Sequence, residues 1–170
     1  MKKGLILAGL LALVLPFAGI MGCDEAEPEE SGLNLEFRYG VTAKNILDTF
    51  EGTYTKDMVT DPPITIELSL SEEEKDMIYQ KMVEIDFFNY PDEFSINVPP
   101  GEMIGTVTPY NSYYFKVEYD SQIKELRWDD EITNSDEMAD QLRELITLIR
   151  SIIESKEEYR ELPEPTSGYL

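Results

Sequence analysis

Histidine is absent from this chain, and cysteine and tryptophan occur once each. Without histidine there is no imidazole base, no imidazole metal ligand and no side chain whose ordinary pKa lies near neutrality. One cysteine excludes an internal disulfide, a CxxC redox pair and a zinc-thiolate cluster. Positive charge is also scarce: 14 Lys and Arg stand against 35 Asp and Glu, a formal net charge of -21. Nucleic-acid binding draws on clustered Lys and Arg, so a nucleic-acid partner is excluded. GxSxG, GxGxxG and a P-loop are all absent. No cofactor is expected. What the chain does have is apolar surface: 42% of its 170 residues are hydrophobic and 11% aromatic. That is enough for one packed domain and too much for a wholly disordered protein. The acidity keeps the domain soluble and favours cations or basic partners. Adaptation to high salt produces the same composition.

The first 22 residues read as a signal peptide. Lys2 and Lys3 form a positive start, Leu5 to Leu15 is a continuous apolar run, and Pro16 and Gly19 then interrupt it. The stretch closes on Ile20-Met21-Gly22-Cys23, which resembles the lipobox of bacterial lipoproteins: a branched apolar residue, a tolerated one, a small one, then cysteine. Met21 is a less usual occupant of its position. The resemblance implies cleavage before Cys23 and a diacylglycerol thioether on its sulfur, with palmitate-type chains supplying the two-chain anchoring that stable membrane attachment needs. Cys23 is then the lipidation site and not a nucleophile. Asp24 resembles the signal that retains Gram-negative lipoproteins at the periplasmic face of the inner membrane. The alternative is an uncleaved membrane helix, since Gly4 to Gly22 carries no charge. Either way the remainder lies outside the cytoplasm.

Residues 23–32 then read as an acidic tether. Asp24, Glu25, Glu27, Glu29 and Glu30 accompany Pro28 and Gly32, with almost no apolar surface. Such a segment does not fold alone and extends by self-repulsion.

Residues 33–162 carry the pattern of one α+β domain with a mainly antiparallel sheet and two amphipathic helices on one of its faces. Leu33, Leu35, Phe37 and Tyr39 alternate with polar residues, as a half-buried strand does. Residues 46–57 read as a second strand, with Gly52 as a bulge or close contact. Pro62-Pro63 breaks the chain before an alternating strand from Ile64 to Leu70. Ser71 with Glu74 forms a capping box opening a helix over about 72–87, with Ile78, Met82 and Ile85 on its buried side. Short strands near 94–98 and 103–107 precede a hairpin of residues 113–119 and 123–128 about Asp120-Ser121. Met138, Leu142, Leu145, Ile149 and Ile152 then recur at spacings of four and three, predicting a second helix over about 135–158. Residues 163–170 form an extended tail, with Tyr169 and Leu170 docked or free.

The candidate chemistry is thin. Asp129, Asp130 and Glu131 are the densest acidic group after the tether, and their oxygens suit a hard cation such as Ca²⁺, although no D-x-D-x-D-G loop accompanies them. The competing reading is a solvated loop at a helix entry. A hydrolase would need two carboxylates a few ångströms apart, one holding its proton, and spacing along the chain does not show that. Tyr110, Tyr113, Tyr114 and Trp128 could form an aromatic platform, but alternation places Tyr113 with Phe115 in the core and Tyr114 on the opposite face. Residues 45–55 (Asn-Ile-Leu-Asp-Thr-Phe-Glu-Gly-Thr-Tyr-Thr) and 85–91 (Ile-Asp-Phe-Phe-Asn-Tyr-Pro) are similar to stretches of small bacterial lipoproteins, and that resemblance implies no catalytic residue. The expectation is a lipid-anchored, non-catalytic interaction module at the cell envelope, attached to the membrane through Cys23 and binding an envelope partner. A Ca²⁺-binding surface protein is the alternative.

Overall fold

The computed structural model describes residues 32–169. The signal peptide, Cys23, Asp24 and the tether up to residue 31 lie outside the described residues, as does Leu170.

Seven strands form one sheet. In chain order they are β1 (Asn34–Tyr39), β2 (Asn45–Asp48), β3 (Thr53–Met58), β4 (Asp61–Glu67), β5 (Glu93–Phe94), β6 (Ser112–Tyr119) and β7 (Gln122–Asp129). Their spatial order is β4-β3-β2-β1-β6-β7-β5, antiparallel throughout except where β5 joins β7. Helix α1 (Glu72–Glu84) follows β4, and α2 (Glu137–Ser155) and the one-turn α3 (Glu157–Arg160) follow β7. The fold class is therefore α+β with a mainly antiparallel sheet. Alternation puts Leu35, Phe37, Leu47, Tyr54, Phe115, Val117, Leu126 and Trp128 on one face, where Ile78 and Met82 of α1 and the stripe of α2 bury them. The other face, carrying Glu36, Arg38, Tyr114, Lys116, Glu125 and Arg127, is left uncovered by helices.

Local chemistry explains where sequence pattern and structure differ. The run 46–57 is two strands. Asp48 Oδ1 accepts the N–H groups of Phe50 at 2.9 Å and Glu51 at 3.2 Å, which closes a turn, and Gly52 supplies a φ of +66°. Pro62 and Pro63 do not break the chain; they sit inside the edge strand β4 where its pairing with β3 shifts register between Lys56 and Met58, so neither is called on for a ladder N–H. The capping box at Ser71 forms in both directions, at 3.3 Å and 2.8 Å. The first helix nevertheless ends at Glu84, three residues short of the expected end, because Asp86 turns left-handed at φ +58° and is held there by Asn89 Nδ2.

The expected strands near 94–98 and 103–107 shrink to two-residue β5 and a single bridge between Thr106 and Ile132. Asp120 and Ser121 both have positive φ, the backbone of a tight two-residue hairpin turn, and Tyr119 pairs with Gln122 across it. The second helix starts at Glu137 with Asp136 capping Ala139 N–H at 2.9 Å, and it breaks at Lys156. Met138 leaves the buried stripe and is 39% exposed; Ala139 takes the buried place in that first turn.

The tail returns to the β3–β4 hairpin. Glu164 pairs with the buried Lys56 at 3.2 Å, Thr166 Oγ1 donates to Asp61 at 3.0 Å, and the Tyr169 hydroxyl donates to Asp57 Oδ2.

Candidate functional site

The uncovered sheet face is ordered by strand register into cross-strand rows. One row is Ile46, Arg38, Tyr114, Arg127 and Glu93, running from β2 to β5. The next is Asp48, Glu36, Lys116 and Glu125. Within the first row Arg38 and Arg127 flank the Tyr114 ring, their Cζ atoms 5.6 and 5.1 Å from its centroid. Glu36 accepts from Arg38 Nε at 2.5 Å, and Arg127 reaches Glu93 at 3.2 Å and Glu125 at 3.5 Å. The Glu93 hydrogen bond holds the Arg127 guanidinium above its ordinary pKa. Burial, aided by a hydrogen bond to Glu125, raises that of Tyr114. Lys116 pairs with no carboxylate among the described residues and instead lies 5.3 Å from the Phe50 ring.

A groove of about 780 Å³ opens on this face. Its floor is the Arg38–Tyr114–Arg127 row, and its walls are the segment Glu93–Ile96 and the residues after β7, Glu131 and Ile132. The carboxylates Glu36, Glu93 and Glu125 in it each spend an oxygen on a guanidinium, an arrangement suited to holding a surface in register rather than to moving a proton.

Beyond the groove rim lies a finger formed by residues 99–107. Its backbone is pinned: Gly105 N–H donates to Asn134 Oδ1 at 2.9 Å, Asn134 Nδ2 donates to the Met103 carbonyl at 3.0 Å, and Val107 N–H and Thr133 N–H bond to Glu131 and Gly105 carbonyls, each at 2.9 Å. Its tip is bare. Met103 is 91% exposed, Ile104 62% and Val107 45%. A backbone fixed in this way has little conformational freedom left to lose when a partner covers the apolar side chains on it.

The acidic run does not converge. Asp129 accepts from Ser112 Oγ at 2.6 Å. Asp130 takes Arg143 through both oxygens, at 2.6 and 3.2 Å, while that guanidinium stacks 5.3 Å from the Trp128 ring. Glu131 points to solvent. Among the described residues no group of three or more acids is gathered as a cation site. The four aromatic residues do not form a platform: Tyr113 and Trp128 pack against each other in the core at 5.5 Å, whereas Tyr114 lies on the open face between two arginines.

Sequence reasoning missed the finger, because Met103, Ile104 and Val107 follow no period. The one signal available was apolar residues set in a stretch bounded by Pro99-Pro100-Gly101 and Pro109, where burial is hard to arrange. Comparison with protein-family models and with curated proteins finds no match, so the reading of this surface rests on its geometry.

Proposed function

We propose that this protein is a lipid-anchored, extracytoplasmic interaction module without catalytic activity, which presents the finger and the adjoining groove to an envelope protein. The observation that carries this reading is the finger: three exposed apolar side chains on a backbone fixed by Asn134. The anchor rests on the lipobox-like segment ending at Cys23, and Asp24 favours the periplasmic side of the inner membrane in a Gram-negative cell. Among the described residues no helix is long and apolar enough to cross a membrane.

A photo-crosslinker at Met103 in native membranes tests the reading, with Cys23→Ser as the unanchored control. One stoichiometric adduct that disappears in the control supports it. Crosslinking to nothing, or equally to many proteins, overturns the finger as a docking element. Mass analysis of the membrane-extracted protein tests the anchor separately: a mature N-terminus at acylated Cys23 is expected, and an intact Met1 ends that part.

A further inference from the structure

The chain leaves the domain toward Cys23 from a defined end of the sheet. Asn34 at the start of β1 stands opposite Glu118, beside the Asp120-Ser121 turn, and Thr49 N–H bonds to the Leu35 carbonyl, which sets the β2–β3 turn alongside. That end carries a rim of apolar side chains on both sides of the sheet. On the helix side Tyr79 stacks on Tyr119, centroids 4.1 Å apart, and Phe88 lies 6.3 Å from Tyr79. On the open side are Phe50 and Ile123. Phe50 is 38% exposed, Phe88 37% and Ile123 61%.

We infer that this rim seats the domain on the surface of a phospholipid bilayer. The inference rests on the proposed anchoring at Cys23 and adds an orientation to it. Residues 24–32 span at most about 30 Å fully extended, so an anchor at Cys23 leaves this end of the sheet within reach of the headgroups. Tyrosine and phenylalanine rings suit that layer, which is apolar on one side and wet on the other. The surrounding acids, among them Asp76, Glu118 and Asp120, and the acidic tether are repelled by anionic lipid, so the surface that fits is zwitterionic. Lys116, beside Phe50 and without a carboxylate partner among the described residues, can donate to a lipid phosphate. The finger lies past the opposite end of β6, about 25 Å away for eight residues of strand, and so points away from the membrane.

The test uses the lipidated full-length protein in phosphatidylcholine vesicles whose acyl chains are brominated. Three variants each add one tryptophan: Phe88→Trp, Ile123→Trp and, as distal control, Met103→Trp. All three sites are partly or largely exposed, so the core is untouched, and Trp128, 2% exposed, is a constant background. Loss of the added emission at 88 and 123, with none at 103, is expected. If the protein floats with the vesicles but all three reporters are quenched alike, or none is, the seat is wrong and the anchor stands. If it fails to float, the anchor is wrong and the seat falls with it.

Discussion

The tyrosine pair between β1 and β3 gives a sharp test of how the core is held. Tyr39 and Tyr54 are 6% and 0% exposed, and their hydroxyl oxygens are 2.7 Å apart. Either hydroxyl can supply the proton between them; Tyr54 OH also lies 3.4 Å from Asn45 Oδ1, and with its proton placed there Tyr39 donates to Tyr54. Asn45 Oδ1 takes the Asp57 N–H as well, at 3.0 Å. With the Tyr54 proton on Asn45 the relay runs one way, and the two deletions are then not equivalent. Tyr54→Phe leaves Tyr39 with a buried donor and no acceptor, which costs about 1–3 kcal/mol. Tyr39→Phe removes an incoming donor but leaves the Tyr54–Asn45 bond, and costs about 0.5–1.5 kcal/mol. In Tyr39→Phe/Tyr54→Phe nothing is left unsatisfied except a lone pair of Asn45, so the double variant loses less than the sum of the singles. Urea unfolding of a Cys23→Ser protein, with equal m values, measures all four corners of the cycle. Additivity within about 0.5 kcal/mol refutes the relay. A greater loss for Tyr39→Phe than for Tyr54→Phe refutes its direction.

Two further predictions concern charge. Burial pushes the Tyr39 hydroxyl up to about 12, and it raises Tyr54 too, from an ordinary value of 10.0. Below pH 10 both states hold these protons. Between about 10 and 12 the unfolded chain releases them first, so stability falls through that window. Denaturation midpoints measured from pH 9 to 12 check this, and a flat profile above pH 10 contradicts it. Asp130→Asn breaks the two-oxygen grip on Arg143, whose pair is 16% and 34% exposed and which keeps Asp140 as a second partner. The loss is about 1 kcal/mol, discounted for solvent. It should be the same with and without millimolar Ca²⁺ in a thermal melt; a Ca²⁺-dependent rise in wild type, absent in the variant, would revive Asp129, Asp130 and Glu131 as a cation site.

Elements whose pattern is set by burial were legible in the sequence. Period-2 alternation placed Leu35, Phe37, Phe115 and Val117 on one face, and the spacing of Leu142, Leu145, Ile149 and Ile152 placed α2 on them. Features set by a single side chain closing a turn were not. Asp48 divides β2 from β3, and Asp86 ends α1, yet aspartate is so frequent here that neither stands out. Prolines 62 and 63 misled because their tolerance depends on β4 being an edge and on a register shift in its pairing with β3, which are properties of the sheet. The groove was illegible for a related reason. Arg38, Tyr114 and Arg127 come from three strands, and only the register of β1, β6 and β7 makes them neighbours. The finger needed Asn134, which lies 31 residues from its hydrogen-bond partner Met103.

Several of the few cations are placed where elements meet. Lys81 joins α1 to Glu144 of α2 at 2.7 Å, and Lys156 ties the end of α2 to Glu74 in the first turn of α1 at 2.5 Å. Lys124 of β7 holds both the Tyr90 carbonyl and Asp92 ahead of β5. Lys56 holds the tail, and Arg143 fastens α2 to the end of β7. Each exposed pair adds little energy by itself, but a clip between elements selects one packing over another. This use of positive charge leaves the remaining acids on the surface, several of them in the first turns of α1 and α2, where they suit the helix dipole. A domain so built is repelled by anionic surfaces on every side. On the function proposed above, its orientation at a membrane falls to the anchor and to apolar side chains, and its choice of partner to side chains that escape both the core and the clips. Among these are one set, Phe50, Phe88 and Ile123, at one end and a second, Met103, Ile104 and Val107, at the other; Met77 and Val83 of α1 and Met138 of α2 are exposed as well. The two sets sit at opposite ends of β6, the arrangement that a module held on a bilayer and read from its far side requires.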